Sequence, residues 1–226
     1  MGLKALTLAI VALYSACGPC HAQLLGVGPR MDLSDKGRAL IYEFETGGAG
    51  VLPSHGRPEW PKGASGVTVG VGYDCGYNIA PVIRSDWHVL TGNDRLSKTA
   101  GLTGQRAHAV LPTVADILVT WQFAADVFED VTVAKFYGQA CRAFPGLDRL
   151  RPNAQAALVS LVFNRGPALA GPRREEMRNI RDLVPKRDYA GIAAEIRAMK
   201  HLWAGTEIYN GMVRRRNAEA QLVETP

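Results

Sequence analysis

The chain has 226 residues, 47% of them hydrophobic and 21% charged. That length suffices for one well-buried domain and is short for two, and the balance excludes a wholly disordered chain. The net charge of +5 suits an anionic polymer, whether cell wall or nucleic acid, and by itself selects neither.

Lys4 precedes an uncharged run from Ala5 to Ala16, and Cys20-His21-Ala22 follows with a small residue at the exit. A charged start, a short apolar core and a small-residue exit predict a secretory signal over residues 1–22, cleaved near Ala22-Gln23. The run is shorter than the ~20 residues a membrane span needs. An uncleaved anchor and a lipoprotein signal through Tyr14-Ser15-Ala16-Cys17 are the weaker readings. Cleavage leaves 25 basic and 21 acidic residues in one domain over residues 23–226. The expected location is the periplasm or outside, with no stable membrane contact after cleavage and a monomeric state. Two cysteines remain, Cys75 and Cys141. They can pair in an oxidising compartment or stand as separate thiols, and only their spatial separation decides. The mature chain has no Cys-x-x-Cys or His-x-x-x-His spacing, so no metal and no other cofactor is expected.

Gln23 to Met31 is a Gly/Pro-containing lead-in. Ser34 reads as an N-cap for a helix carrying Leu40, Ile41 and Phe44, which Gly47-Gly48 stops. The stretch from Gly50 to Gly66 reads as an irregular loop. Val67 to Tyr73 alternates apolar residues with Thr68, Gly70 and Gly72 and predicts a short strand. After Ser85 the chain is mostly helical. Two helices are expected over Thr113–Phe144, with a break near Glu129-Asp130. Others begin at Pro152 and span Met177–Val184, Tyr189–Trp203 and Tyr209–Val223. The outline is an α+β fold: a small β-region plus a larger, mostly helical lobe, with a cleft between them.

Glu43 and Glu45 end the first helix just before its glycine break. The helix dipole at a C-terminus disfavours negative charge and so favours a protonated carboxyl, which suits a proton donor. Read locally, both are equally well ordinary surface acids. In Ser65-Gly66-Val67-Thr68-Val69-Gly70-Val71-Gly72-Tyr73-Asp74, Thr68 shares a strand face with two glycines, and Asp74 adds a carboxylate just beyond. In isolation the segment reads better as a glycine-rich hairpin strand with a capping Asp. A phosphate loop is disfavoured, because no helix with Lys-Ser/Thr follows.

Joined to the pieces downstream, these segments acquire a resemblance. A helix ending in Phe44-Glu45 followed by Thr68-Val69-Gly70-Val71-Gly72 resembles the active-site segment of phage T4-type lysozymes. Ala157-Leu158-Val159-Ser160-Leu161-Val162-Phe163-Asn164-Arg165-Gly166 is similar to a later helix of that family. Asp188-Tyr189-Ala190-Gly191-Ile192-Ala193 and Gly211-Met212-Val213-Arg214-Arg215-Arg216-Asn217-Ala218-Glu219 resemble its closing helices. The blocks appear in the family's order and cover residues 33–224. The usual hairpin Asp, nine residues after the Glu, is here Ser54. The pesticin-like branch looks closer: its Glu precedes the Thr by 23 residues, and an Asp follows the Thr by six, as do Glu45, Thr68 and Asp74.

The resemblance implies a muramidase cutting the glycan strands of peptidoglycan, while the signal and the lack of a clustered basic arm before residue 173 speak against a nucleic-acid partner. Glu45 would be the general acid, Thr68 the residue placing water, and Asp74 the second carboxylate, with Glu59 its substitute. Such cleavage needs a proton on the leaving oxygen and a nucleophile at the anomeric carbon; the spacing of the two carboxyls decides between inversion, which is favoured here, and retention. One arginine of the 214–216 triplet would approach Glu45 or bind anionic glycan, Arg215 being the candidate substrate contact and a solvated basic face the alternative. Trp60, Tyr73 and Tyr77 are candidate sugar-stacking rings, whereas Trp87, Trp121 and Trp203 read as core packing. Asn164 is a candidate for substrate contact or for a structural hydrogen bond. A chitinase, a lytic transglycosylase and a silent peptidoglycan-binding protein remain alternatives on the same fold.

Overall fold

The computed structural model describes residues 31–48 and 56–226. The expected signal and its cleavage site, residues 1–22, lie outside them, as does Ser54. The architecture is α+β: mostly helical, with one two-stranded antiparallel sheet. Among the described residues no helix is long and apolar enough to cross a membrane. The chain divides into two compact units, one of residues 46–133 and one of residues 31–45 together with 134–226.

In the first unit, β1 (Thr68–Val69) and β2 (Tyr73–Asp74) pair in the register Thr68↔Asp74 and Val69↔Tyr73. The single strand expected over Val67–Tyr73 is therefore a hairpin. Gly70 and Gly72 adopt φ of 59° and 70°, a left-handed backbone that glycine enters at no steric cost and that reverses the chain within three residues. A Cβ on Gly70 would lie 2.7 Å from the Trp87 ring, so this turn rests on the unit's aromatic core. Tyr73 and Phe123 meet Trp87 edge-on, at 5.5 and 5.4 Å between centroids. Helices α2 (Ala80–Asp86), α3 (Asn93–Ser97), α4 (Gln105–Val110) and α5 (Trp121–Val127) complete the unit.

Thr120 caps α5 by accepting from Phe123 N. The expected helix start at Thr113 is thus displaced to Trp121. The break foreseen near Glu129-Asp130 is a π-helical stretch, Phe128–Val133, that runs on into the next helix.

The second unit is helical. Its first helix, α1 (Asp35–Thr46), begins where Ser34 Oγ accepts from Gly37 N at 3.0 Å, and it ends at Gly47 and Gly48, with φ of 86° and 130°. The start and stop signals act locally and behave as the sequence predicts. The unit also contains α6 (Ala134–Ala143), α7 (Pro152–Arg165), α8 (Glu175–Leu183), α9 (Tyr189–Ala198) and α10 (Tyr209–Glu224). Every residue of α7 from Asn153 to Phe163 is buried, so this helix is the unit's axis. Asn153 at its start ties three segments together. It accepts from Ser34 Oγ at 2.5 Å and donates to the carbonyls of Thr225 and Pro226 at 3.2 and 2.9 Å.

Gly37 sits inside α1, where glycine ordinarily weakens a helix. A Cβ there would lie 2.1 Å from Cβ of Ala156 on α7, so the glycine lets the two helices close. Gly37→Ala is expected to destabilise the protein by ~1–3 kcal/mol despite its better helix propensity. Adding Ala156→Gly should recover part of that loss in chemical denaturation, the sign of a shared contact.

Candidate active site

Glu43 and Glu45 lie two residues apart on α1, ~200° around the helix, and so face opposite ways. Glu43 is 52% exposed and lies 3.5 Å from the exposed Arg214. The Glu45 side chain is 6% exposed, and its Oε1 accepts from Arg215 Nη2 at 2.6 Å. Burial and a charged partner separate two acids that local sequence could not.

The arginine triplet divides in the same manner. Arg214 is on the surface, whereas Arg215 and Arg216 are buried, contrary to a solvated basic face. Arg215 Nη2 also donates to the Ser160 carbonyl at 2.7 Å and to Ser160 Oγ at 3.1 Å, and its Nε donates to Glu219 Oε1 at 3.0 Å. Glu219 Oε1 accepts further from Ser160 Oγ at 2.7 Å and Arg216 Nη2 at 3.1 Å. Its Oε2 forms an ion pair with Arg216 Nε at 3.0 Å without the alignment of a hydrogen bond.

Burial works against the Arg215 charge, but Glu45 and Glu219 outweigh it and hold the guanidinium above its ordinary range. Arg216 is pulled down to about 10, by burial first, with Glu219 opposing. Asn164 accepts from Arg216 Nη2 at 3.3 Å, so it belongs to this network, as one of the two readings of it foresaw. Arg215, a candidate substrate contact, is 1% exposed and is enclosed by protein groups, Glu45 among them.

In the first unit, Thr68 N and O bond to the backbone of Glu59 at 2.8 and 2.9 Å, while Cys75 N bonds to Val67 O at 2.8 Å. Thr68 and Asp74 are therefore a close, non-hydrogen-bonded pair, and Glu59, Thr68 and Asp74 form one row across three extended segments. Both candidates for the second carboxylate thus flank Thr68. Asp74 Oδ1 accepts from Gly66 N at 3.1 Å and Gly76 N at 2.8 Å, and Oδ2 accepts from Gly66 N at 3.0 Å. It caps the short 3₁₀ turn Cys75–Tyr77. Burial raises the Asp74 carboxyl above the usual carboxylate range, against the pull of the two amides. Thr68 Oγ1 is 3.5 Å from Gly66 O.

The aromatic candidates separate by burial. Tyr73 is buried, with its hydroxyl donating to Asp86 at 2.7 Å; it is core packing and no sugar platform, because Trp87 and Asp86 already enclose it. Trp60 and Tyr77 are half-buried. Trp60 Nε1 donates to Ser65 O at 3.1 Å, and its ring lies 4.7 Å from His108; Tyr77 donates to Ala64 O at 3.0 Å. Trp87 and Trp203 are buried as expected, and Trp121 is half-buried. Cys75 and Cys141 are free thiols, and burial pushes them up to about 12 and about 11.

Sequence reasoning assigned no role to Glu219, Ser160 or Arg216. The available signal was the spacing on α10. A Glu three and four residues after two arginines, among Met212, Ala220 and Val223, marks an ion cluster that a buried helix carries inward.

The fold is lysozyme-like and α+β. A family model described as phage lysozyme matches residues 64–219, more than half the chain, and the protein belongs to the phage lysozyme family. That family is one of peptidoglycan-degrading lysozymes, which makes the protein a cell-wall-directed enzyme of the glycoside-hydrolase kind. The matched segment contains Thr68, Asp74, Ser160, Asn164, Arg215, Arg216 and Glu219 and begins after Glu45. A search of curated proteins finds no match.

Proposed function

We propose that this protein is an exported muramidase that hydrolyses the β-1,4 bond between N-acetylmuramic acid and N-acetylglucosamine in peptidoglycan. Glu45 gives its proton to the glycosidic oxygen as the bond to the anomeric carbon breaks. A water held at Thr68 attacks that carbon, and Asp74 takes the proton the water sheds. The sum is addition of one water, and solvent returns both carboxyls to their starting states. Trp60 and Tyr77 offer half-exposed rings for sugars. The observation that carries this reading is the buried 2.6 Å contact between Glu45 and Arg215. It places a charge complement where Glu45 becomes an anion on proton transfer.

The test is clearing of a purified peptidoglycan suspension by the mature chain and by Glu45→Gln. Wild type should clear it, and Glu45→Gln, folded by circular dichroism, should lose activity by ~100-fold or more. Equal clearing by both removes Glu45 from the mechanism, and clearing by neither leaves a peptidoglycan-binding protein. Asp74→Asn and Glu59→Gln separate the two acids beside Thr68. Asp74→Asn keeps an oxygen for the Gly66 and Gly76 amides and should lose far more rate than Glu59→Gln.

A further inference from the structure

The cluster around Glu45 holds more charge than one ion pair. Arg215 and Arg216 supply two positive charges and Glu45 and Glu219 two negative ones, with all four side chains at most 6% exposed. A general acid passes through two charge states, neutral before it gives its proton and anionic after. With Glu219 present, the rest of the cluster presents Glu45 with a net charge of one. Without it, two buried guanidiniums would face Glu45 with no second carboxylate to offset them. The other charges nearby are Arg165 at the end of α7, which adds to the positive side at Arg216, and the exposed Arg214–Glu43 pair.

The contacts follow the same logic. Glu219 Oε1 engages Arg215 through Nε at 3.0 Å, which fixes the plane of the guanidinium. A single nitrogen, Nη2, then reaches Glu45 while also serving the Ser160 carbonyl. Arginine and carboxylate otherwise favour a two-nitrogen fork, and the Glu219 contact takes Nε out of that arrangement.

We propose that Glu219 is a positioning residue for the reaction: it fixes Arg215 and balances the Arg215–Arg216 charge, so that Glu45 is held by one N–H in the orientation its proton transfer needs. The proposal rests on the reading of Glu45 as the general acid, and its test has one arm that does not. The variants are Glu219→Gln, Arg216→Met and the two combined, each measured for kcat, KM and pH profile on soluble glycan strands and each crystallised.

Glu219→Gln should lower kcat at neutral pH by about tenfold or more with KM within about twofold, and the high-pH side of its profile should move to lower pH. The double variant, with its charge balance restored, should regain most of the lost kcat. In a further crystal, of Glu219→Met, which leaves no oxygen for Arg215 Nε, Arg215 should turn to place two nitrogens on Glu45. Wild-type kcat and profile in Glu219→Gln, or a double variant slower than either single one, overturns the proposal. If Glu219→Gln does not fold, the balanced double variant decides, since wild-type-like kcat there supports charge balance and its loss refutes it. If wild type itself hydrolyses nothing, the functional reading fails, and the crystallographic arm still supports or refutes the positioning of Arg215.

Discussion

Replacing Arg215 by methionine is expected to lower the unfolding free energy by about 3–5 kcal/mol, the cost of leaving its buried partners unpaired. Glu45, on a side chain 6% exposed, and the Ser160 carbonyl both lose their Nη2 donor, and Glu219 keeps Arg216 and the Ser160 hydroxyl. Urea denaturation monitored by circular dichroism measures the change. The loss should shrink when Glu45→Gln is added, because removing one partner of a buried pair strands the other and changing both strands less. Arg215→Lys should not rescue. One ammonium lacks the planar fork that serves Glu219 through Nε while Nη2 serves Ser160 and Glu45. Wild-type stability in Arg215→Met would mean that the network contributes nothing net to the fold.

The second large effect is expected at Gly66. A Cβ there would lie 2.3 Å from Asp74 Oδ1, 2.4 Å from Gly76 N and 2.5 Å from Gly76 Cα. Two of those atoms are backbone and cannot step aside as a flexible side chain would. Gly76 is itself confined, since its own Cβ would meet Leu102 O at 2.6 Å. Gly66→Ala should therefore cost ~3 kcal/mol or more and displace the Asp74 carboxyl from the two amides that orient it. Peptidoglycan clearing should fall at temperatures where the variant is still folded. Unchanged activity in folded Gly66→Ala would argue against Asp74 as the second carboxylate and turn attention to Glu59, its neighbour across Thr68.

The sequence alone determined what depends on neighbours along the chain. Ser34 caps α1 and Gly47-Gly48 ends it, because a side-chain oxygen and a left-handed glycine act within one turn. Pro152 opens α7 for the same local reason, and the ordered blocks were enough to indicate the family that the match over residues 64–219 establishes. Alternating Val and Gly, by contrast, suits both a strand and a turn. The positive φ of Gly70 and Gly72, seated on Trp87, decided for a hairpin.

The charges show the limit most clearly. Read locally, three consecutive arginines fit a solvated face as well as a partner for Glu45, and two acids on α1 read alike, because a residue's burial is set by what the rest of the chain packs against it. Glu45 and Arg215 are 170 positions apart in sequence. Only tertiary packing brings them to 2.6 Å, buries Arg216 beside them and makes Glu219 the acid that offsets both arginines. Tyr73 turned inward for the same reason, since Trp87 and Asp86 claimed its ring and hydroxyl before any sugar could.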